Sequence, residues 1–401
     1  MKALQLFLTL LALYSTLFAK EDSLDKYISE NKKEQFKVDY KKNKVQSSLL
    51  RDSWIAPIKL EYMYSKSNPY DLKQLRENAS IKIDQPIFQS GGIYYGIKFA
   101  EASKKYTNYS IDMTKRKVVK DAISLLMQIK QLALKEIKQK LQIKNSKINL
   151  EQKKENYLNG ELDSGFLNNA IIEKNIMIQT LYDIQTNKEK LVSKFKAISD
   201  KSYKELFIPK LKILTQDEFL ANNIILSMSK SELNKNAYSK DMIVAKYLPR
   251  VSLTAGYNWQ SSSTLGSSYT TPETNYYNYG FRISMPLDIN TFRDIEVSKL
   301  DYLKSKLVIE DKRRELLAIF EQVMQNIKNI ENKKQLSVQN YEIYEELLSQ
   351  TKDLYKAGYK TKHDVDLLKN SLDIQNLDIK IFEIDKQLEL LTLYEMYKNE
   401  I

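Results

Sequence analysis

The chain contains no cysteine and one histidine in 401 residues. That excludes thiol catalysis, cysteine-based zinc sites, disulfides and an N-terminal lipid anchor on cysteine. A single His363 leaves no histidine-rich metal site and no conventional proton relay, so neither metal nor cofactor is expected. Glycine and proline are scarce too, at nine and seven, where average composition would give roughly 28 and 20. The shortage is uneven. Proline is missing from 87–208 and 287–401, and glycine from 97–159, 166–255 and 281–357. A compact α/β enzyme with many turns does not fit such a map; a few very long uninterrupted helices do.

What is present is lysine. The net charge is +12, carried by 55 Lys and 8 Arg against 51 acidic residues. A nucleic-acid binder tends to concentrate its cations on one face, often as Arg. Here Lys alternates with Glu, Asp, Asn and Gln along the whole chain, the pattern of a solvated helical surface, and no nucleic-acid partner is expected. Acidic pairs abound at helical spacing, but such pairs are ordinarily i,i+4 bridges, and no catalytic constellation emerges.

Residues 1–19, MKALQLFLTLLALYSTLFA, have a basic start, an apolar stretch over 3–13 and a small residue at Ala19. This is the layout of a secretory signal peptide, and it predicts an exported chain from Lys20. No later segment approaches the ~18 apolar residues of a membrane-spanning helix.

Near residue 250 the period changes from helical to two. Val251, Leu253, Ala255, Tyr257 and Trp259 alternate with Ser252, Thr254, Gly256, Asn258 and Gln260. After a Ser/Thr/Gly loop (261–275), Tyr277, Tyr279, Phe281 and Ile283 alternate with Asn278, Gly280, Arg282 and Ser284. The first half repeats this with Leu60, Tyr62 and Tyr64 against Lys59, Glu61 and Met63, then Ala79, Ile81 and Ile83 against Ser80, Lys82 and Asp84. Such segments, about 10 residues long, can cross a bilayer as tilted strands with an apolar outer and a polar inner face. Lys59, Lys82, Asp84 and Arg282 would then face water. The alternative is two amphipathic hairpins packed on a soluble core. If the strands do lie in lipid, four of them cannot close a barrel and open edges are not tolerated there. The barrel must be shared, with eight strands from two chains or twelve from three.

The segments 92–156 and 291–356 are each about 65 residues without proline, roughly 100 Å of helix at 1.5 Å per residue. Helices of that length demand coiled-coil packing. Ile374, Leu377, Ile381, Ile384, Leu388 and Leu391 follow 3,4 spacing, and Val365, Leu368, Leu372, Ile379 and Phe382 form a second stripe beside them. Two stripes predict neighbours on both sides, as in a wall or tube. Each long helix ends in a glycine turn, at Tyr157–Gly160 and Tyr355–Gly358, 198 residues apart for both Tyr and Gly.

The expected organisation is therefore a duplication after a signal peptide at 1–19. The first repeat, 20–214, holds an N-terminal helix, strands about 54–64 and 79–88, a long helix 91–156, a tip 157–164, a return helix 165–198 and an equatorial linker 199–214. The second, 215–401, holds a helix 215–247, strands about 248–260 and 276–287, a long helix 291–356, a tip 357–361 and a return helix 362–398. The fold class is mainly α with a small β part.

With these elements in order, the chain resembles the TolC-like outer-membrane factor family. The resemblance rests on PIFQSGG (86–92), YLPRVSLTAGY (247–257), SMPL (284–287) and the tip YKAGYKTKHDV (355–365), supported by YLNGELDSGFL (157–167). It covers nearly all of the mature chain. The resemblance implies a homotrimer with a twelve-stranded outer-membrane barrel, continued by a periplasmic α-barrel. It also implies a passive exit duct for tripartite efflux or type I secretion, partnered by a periplasmic adaptor (membrane fusion) protein, by outer-membrane lipid and indirectly by an inner-membrane transporter. A periplasmic coiled-coil adaptor and a structural envelope protein without a pore are the alternatives. The second strand pair is followed by Asp288–Thr291 where the family often has Gly-Gly, and Asp366 precedes Leu367 where the family usually has the reverse.

The resemblance also assigns residues. Asp364 matches a family position whose carboxylates narrow the periplasmic entrance, and Asp366 would supply the second carboxylate, one residue out of register. Lys360 and Lys362 flank this gate and could bridge to it, and His363 beside Asp364 could make it pH-sensitive. The bland readings are a helix N-terminal residue favoured by the dipole for Asp364, solvated loop lysines, and an incidental exposed histidine. Gly160 and Gly358, with Tyr157 and Tyr355, are implied adaptor-docking tips.

Overall fold

The protein is described here by a computed structural model that covers residues 25–68, 73–265 and 270–398. The signal peptide expected at 1–19 and the middle of the 261–275 loop lie outside the described residues. After a 3-10 turn at Asp25–Tyr27, the elements in chain order are α1 (Glu30–Arg51), β1 (Lys59–Ser67), β2 (Lys73–Phe88), α2 (Gly92–Leu158), α3 (Ser164–Lys196), α4 (Gln216–Ala221), α5 (Ile224–Lys246), β3 (Arg250–Leu265), β4 (Thr270–Ser284), α6 (Thr291–Lys356) and α7 (Lys362–Glu395). The chain divides into two compact units, and both long helices run through each.

One unit holds 112–224 and 313–398 together with the start of α1. Its core is built on α2, where Ala122, Ile123, Leu126, Met127 and Ile129 are fully buried, and on Phe195, Phe219, Leu316, Leu390 and Leu393. Phe219 stacks on Phe320 at 5.7 Å. Polar contacts fix the order of the helices. α2 meets α3 through Gln139 Nε2, which donates to the Met177 carbonyl at 2.9 Å. On its other side α2 meets α7 through Lys138–Asp378 at 2.6 Å and Asn145–Asn370 at 2.8 Å. Beyond α7 lies α6, joined by Lys334–Glu383 at 2.9 Å. The order is thus α3, α2, α7, α6, and the two inner helices have neighbours on both sides, which is why α7 carries two apolar stripes. On α6 the polar Ser337 and Thr351 are buried as well.

The stretch 199–214 is not helical. It packs inward with Leu206, Leu211 and Leu214 buried, held by Leu211 N–H donating to Gln387 Oε1 of α7 at 2.7 Å. Two backbone junctions join short helices end to end. Ser29 N–H donates to the carbonyl of Ile198 at 2.8 Å, just past α3, and Ile224 N–H donates to that of Met396 at 2.9 Å, just past α7.

The second unit, 38–111 with 225–312, contains the sheet. Here α1 lies on α2, with Asn43 Nδ2 donating to Asn108 Oδ1 at 2.8 Å and Ser47 to the Ala100 carbonyl at 3.2 Å. The four strands form one antiparallel sheet in the order β1-β2-β3-β4. Strand β2 pairs with β3 from Lys73↔Leu265 to Phe88↔Val251, joining the two hairpins.

Several expected boundaries shift. The helix expected at 215–247 is broken at Asn222–Asn223, because the Ile224 amide and the Asn222 carbonyl bond to 396 and 398 instead of continuing the helix. The first strand starts at Lys59 rather than 54. The Gln85 side chain binds the Ala56 N–H at 2.9 Å and the Trp54 carbonyl at 3.2 Å, drawing that backbone out of the ladder. The 261–275 stretch is mostly strand, since β3 runs to Leu265 and β4 begins at Thr270. Ser and Thr there keep the ladder going without an apolar face.

Candidate functional site

Two features of the chain stand out from ordinary packing: the two-faced sheet and the paired helical tips.

The sheet leaves its apolar face uncovered, unlike a sheet packed on a soluble core. Leu60, Ile81, Tyr257 and Tyr277 lie in one row across the four strands. This apolar face is uncovered in the single chain, with Tyr279 82% and Phe281 73% accessible, and the polar face is open to water as well, with Lys82, Asp84 and Arg282 exposed. The polar face is a groove lined by Lys59, Glu61, Lys82, Asp84, Arg250 and Arg282. Lys82 pairs with Glu61 at 3.5 Å and Arg282 with Asp84 at 2.9 Å. Such a sheet suits lipid on one side and water on the other. Among the described residues no helix is long and apolar enough to cross a membrane.

The tips are built alike. At the first, Gly160 takes φ +77°, and Glu161 N–H bonds to the Asn156 carbonyl at 2.8 Å while Gly160 N–H bonds to that of Tyr157 at 3.0 Å. At the second, Gly358 takes φ +79°, with Tyr359 N–H to Leu354 at 2.9 Å and Gly358 N–H to Tyr355 at 3.0 Å. Both are Schellman caps, which need a left-handed residue at that place. Tyr157 and Tyr355 therefore serve the turns through their carbonyls, and both rings are exposed. The return helices are capped at once, α3 by Asp163 and α7 by Thr361. Backbone and hydroxyl donors from Gly165 and Ser164 hold the Asp163 carboxyl below the usual carboxylate range.

The residues expected at the gate lie at the start of α7. Asp364 Oδ2 accepts from the Thr361 N–H and hydroxyl, both at 2.9 Å, and Thr361 Oγ1 accepts from the Asp364 N–H at 3.2 Å. That is a capping box. These bonds from Thr361, helped by the nearby Lys360 and His363 charges, hold the Asp364 carboxyl below its ordinary value. Asp366 is two residues on, about 200° round the helix, so the two carboxylates do not share a face. Lys360 and Lys362 are exposed and His363 half-buried. Among the described residues neither lysine forms an ion pair with Asp364 or Asp366.

A feature that sequence reading missed is the polar seam between the helices. Glu136 of α2 is bound by Lys140 at 2.8 Å, by Lys188 of α3, and by Gln185 at 3.3 Å. The Lys140 and Lys188 bonds pull its carboxyl down to about 2. Asp385 of α7 accepts from Gln131, but burial outweighs that bond and pushes its carboxyl up. The sequence signal was weak: Gln131, Lys138 and Asn145 recur every seven residues of α2, hidden among many other polar residues.

Residues 216–396 match the family model described as outer membrane efflux protein. The fold superposes on the CmeC outer membrane channel of Campylobacter jejuni with TM-score 0.69 at 13% identity, covering 94% of this chain and 86% of that one. VceC of Vibrio cholerae gives TM-score 0.71 at 14% identity, covering 91% and 93%. The MtrE outer membrane channel of Neisseria gonorrhoeae, in its open state, gives 0.61 at 11% identity, covering 90% and 85%. No curated protein sequence matches the chain.

A four-stranded sheet with a lipid-compatible outer face and two helices of more than 60 residues give the chain the fold of the TolC-like outer-membrane channels. Over residues 216–396 the chain matches the outer membrane efflux protein family, and the solved structures similar to it in fold are outer-membrane channels. It is an outer-membrane efflux channel whose helices extend into the periplasm.

Proposed function

We propose that three copies of this chain close a twelve-stranded barrel and a helical tube, forming the passive exit duct of a tripartite efflux pump or type I secretion system. The observation that carries this reading is that both edges of one chain are unfinished. Strands β1 and β4 have no outer partner among the described strands, and an open edge cannot lie in lipid. The outer helices repeat the pattern, with Phe166, Ile172 and Ile176 exposed on α3 and Leu336 and Ile343 exposed on α6. Second and third copies would cover both sets at once. Three fits a conducting duct better than two, because eight strands fill their own interior whereas a larger ring leaves a channel.

In this reading the α7 tips converge, and Asp364 and Asp366 form the periplasmic gate, with Lys360, Lys362 and His363 beside it. The turns at Gly160 and Gly358, with the exposed Tyr157 and Tyr355, take the hairpin of a periplasmic adaptor, which links the duct to an inner-membrane transporter. The test is to extract the mature protein from outer membranes with detergent, measure its mass, and record conductance in a planar bilayer. A trimer that passes current supports the duct. A mature protein that is soluble without detergent would favour a periplasmic adaptor, and an intact trimer silent in every gate variant would favour a structural envelope role.

A further inference from the structure

The charges on the polar face of the sheet are one-sided. Alternation along the paired strands puts five cations on that face: Lys59 on β1, Arg76 and Lys82 on β2, Arg250 on β3 and Arg282 on β4. It puts two carboxylates there, Glu61 and Asp84. Both carboxylates are already spent, on Lys82 at 3.5 Å and Arg282 at 2.9 Å. Among the described residues, the remaining cations have neutral partners at most. Arg250 Nε donates to Ser284 Oγ at 2.8 Å, and Arg76 donates to Gln74 Oε1 at 3.3 Å. Lys59 stands directly opposite Lys82 in the ladder, a like-charge pairing that costs sheet stability. Folding alone gives no reason for it.

Resting on the channel reading above, we propose that this face is a cationic filter, and that the duct favours anionic solutes in its barrel segment. In a closed trimer the surplus of three per chain becomes nine positive charges around one water-filled wall. Rings of Arg and Lys select anions in pores. At 0.1 M salt their field reaches about 10 Å into the lumen, and at 1 M only about 3 Å. The filter therefore acts near physiological salt and fades at high salt. This preference is opposite in sign to that of the carboxylates at the periplasmic tip, so the two ends of the duct would screen solutes differently.

The test uses the full trimer in a planar bilayer, with potassium chloride at unequal concentrations on the two sides and the reversal potential as readout. Wild-type channels are expected to pass chloride in preference to potassium at low salt. The preference is expected to fall severalfold in the Lys59→Gln/Arg250→Gln double variant and to shrink in molar salt. Lys66→Gln, on the opposite face of β1, is expected to leave it unchanged. Trimer migration on native gels checks that each variant assembles. A potassium-selective wild-type current overturns the filter, as does a chloride preference that survives the double substitution in an assembled trimer. Absence of current in every protein, wild type included, overturns the channel reading itself, and the filter with it.

Discussion

The guanidinium of Arg282 lies 2.9 Å from the carboxylate of Asp84, reaching over β3 to tie the second hairpin to the first. The two residues are 198 apart, and each lies on the second strand of its hairpin, β2 and β4. Both side chains are about half exposed, and exposed pairs contribute ~0–1 kcal/mol. Arg282→Gln is expected to lower the thermal midpoint of the trimer by no more than a few degrees. A collapse of assembly would mean that the pair sets strand order rather than charge.

The apolar face makes a sharper demand. Phe281→Lys puts a cation where the sheet is expected to meet lipid, at a cost of about 2–4 kcal/mol near the bilayer centre. Thr254→Lys, on the polar face, adds the same charge toward water. The first is expected to deplete folded trimer from the outer-membrane fraction and the second to leave it near wild-type level. Equal yields of the two would refute the assignment of the faces.

At the tips, a Cβ added to Gly160 or Gly358 meets nothing within 4 Å. The penalty of Gly358→Ala is therefore backbone strain alone, roughly 1–2 kcal/mol for a left-handed non-glycine residue. Asn tolerates that region better, so Gly358→Asn is expected to cost less. Hydrogen exchange of residues 354–361 would report faster opening in the Ala variant, and identical exchange in both would remove the Schellman argument.

Acid sensitivity has a direction. Glu136 is ordinarily a carboxylate near 4.3 when unfolded and is held at about 2 in the fold. A group with a depressed folded value contributes stability that is fully present above the unfolded value and is lost as pH falls through the folded one. The α2–α3 seam should hold down to about pH 4 and loosen progressively between there and about pH 2. Glu136→Gln should remove that dependence. An α3 exchange profile that changes between pH 8 and 6 would contradict this.

Asp364 has two separable jobs. Its carboxylate closes the capping box, and losing such a contact costs about 0.5–2 kcal/mol. It also carries the charge proposed for the gate. Asp364→Ala is expected to raise conductance, reduce block by divalent cations and fray α7. Asp364→Asn keeps an acceptor for the Thr361 N–H while losing the charge, and is expected to change block with less fraying. Conductance and block unchanged in both variants would leave Asp364 as a cap alone.

Much of this architecture was legible in the chain. Strand periodicity in Tyr257–Trp259 and Tyr277–Ile283, the long glycine-free gaps and the two glycine turns follow from local rules: a side-chain period of two or 3.6, and the sterics of positive φ. The break at Asn222–Asn223 was not legible, because two amide side chains do not end a helix by themselves. Distant partners at Met396 and Lys398 took the backbone groups there. The start of the first strand was misplaced for the same reason, since Gln85 is ordinary in sequence and acts only where folding brings it beside Trp54 and Ala56.

The sequence by itself determined the kind of elements, their duplication and the sorting of polar from apolar strand faces, because each depends on residues near one another along the chain. Tertiary structure decided the helix order and the polar seam at Glu136 and Asp385. It also decided that the cations of four strands share one groove with only two carboxylates. Those are relations between side chains up to 254 residues apart, and only the ladder register and helix packing bring them within reach of a hydrogen bond or a shared field.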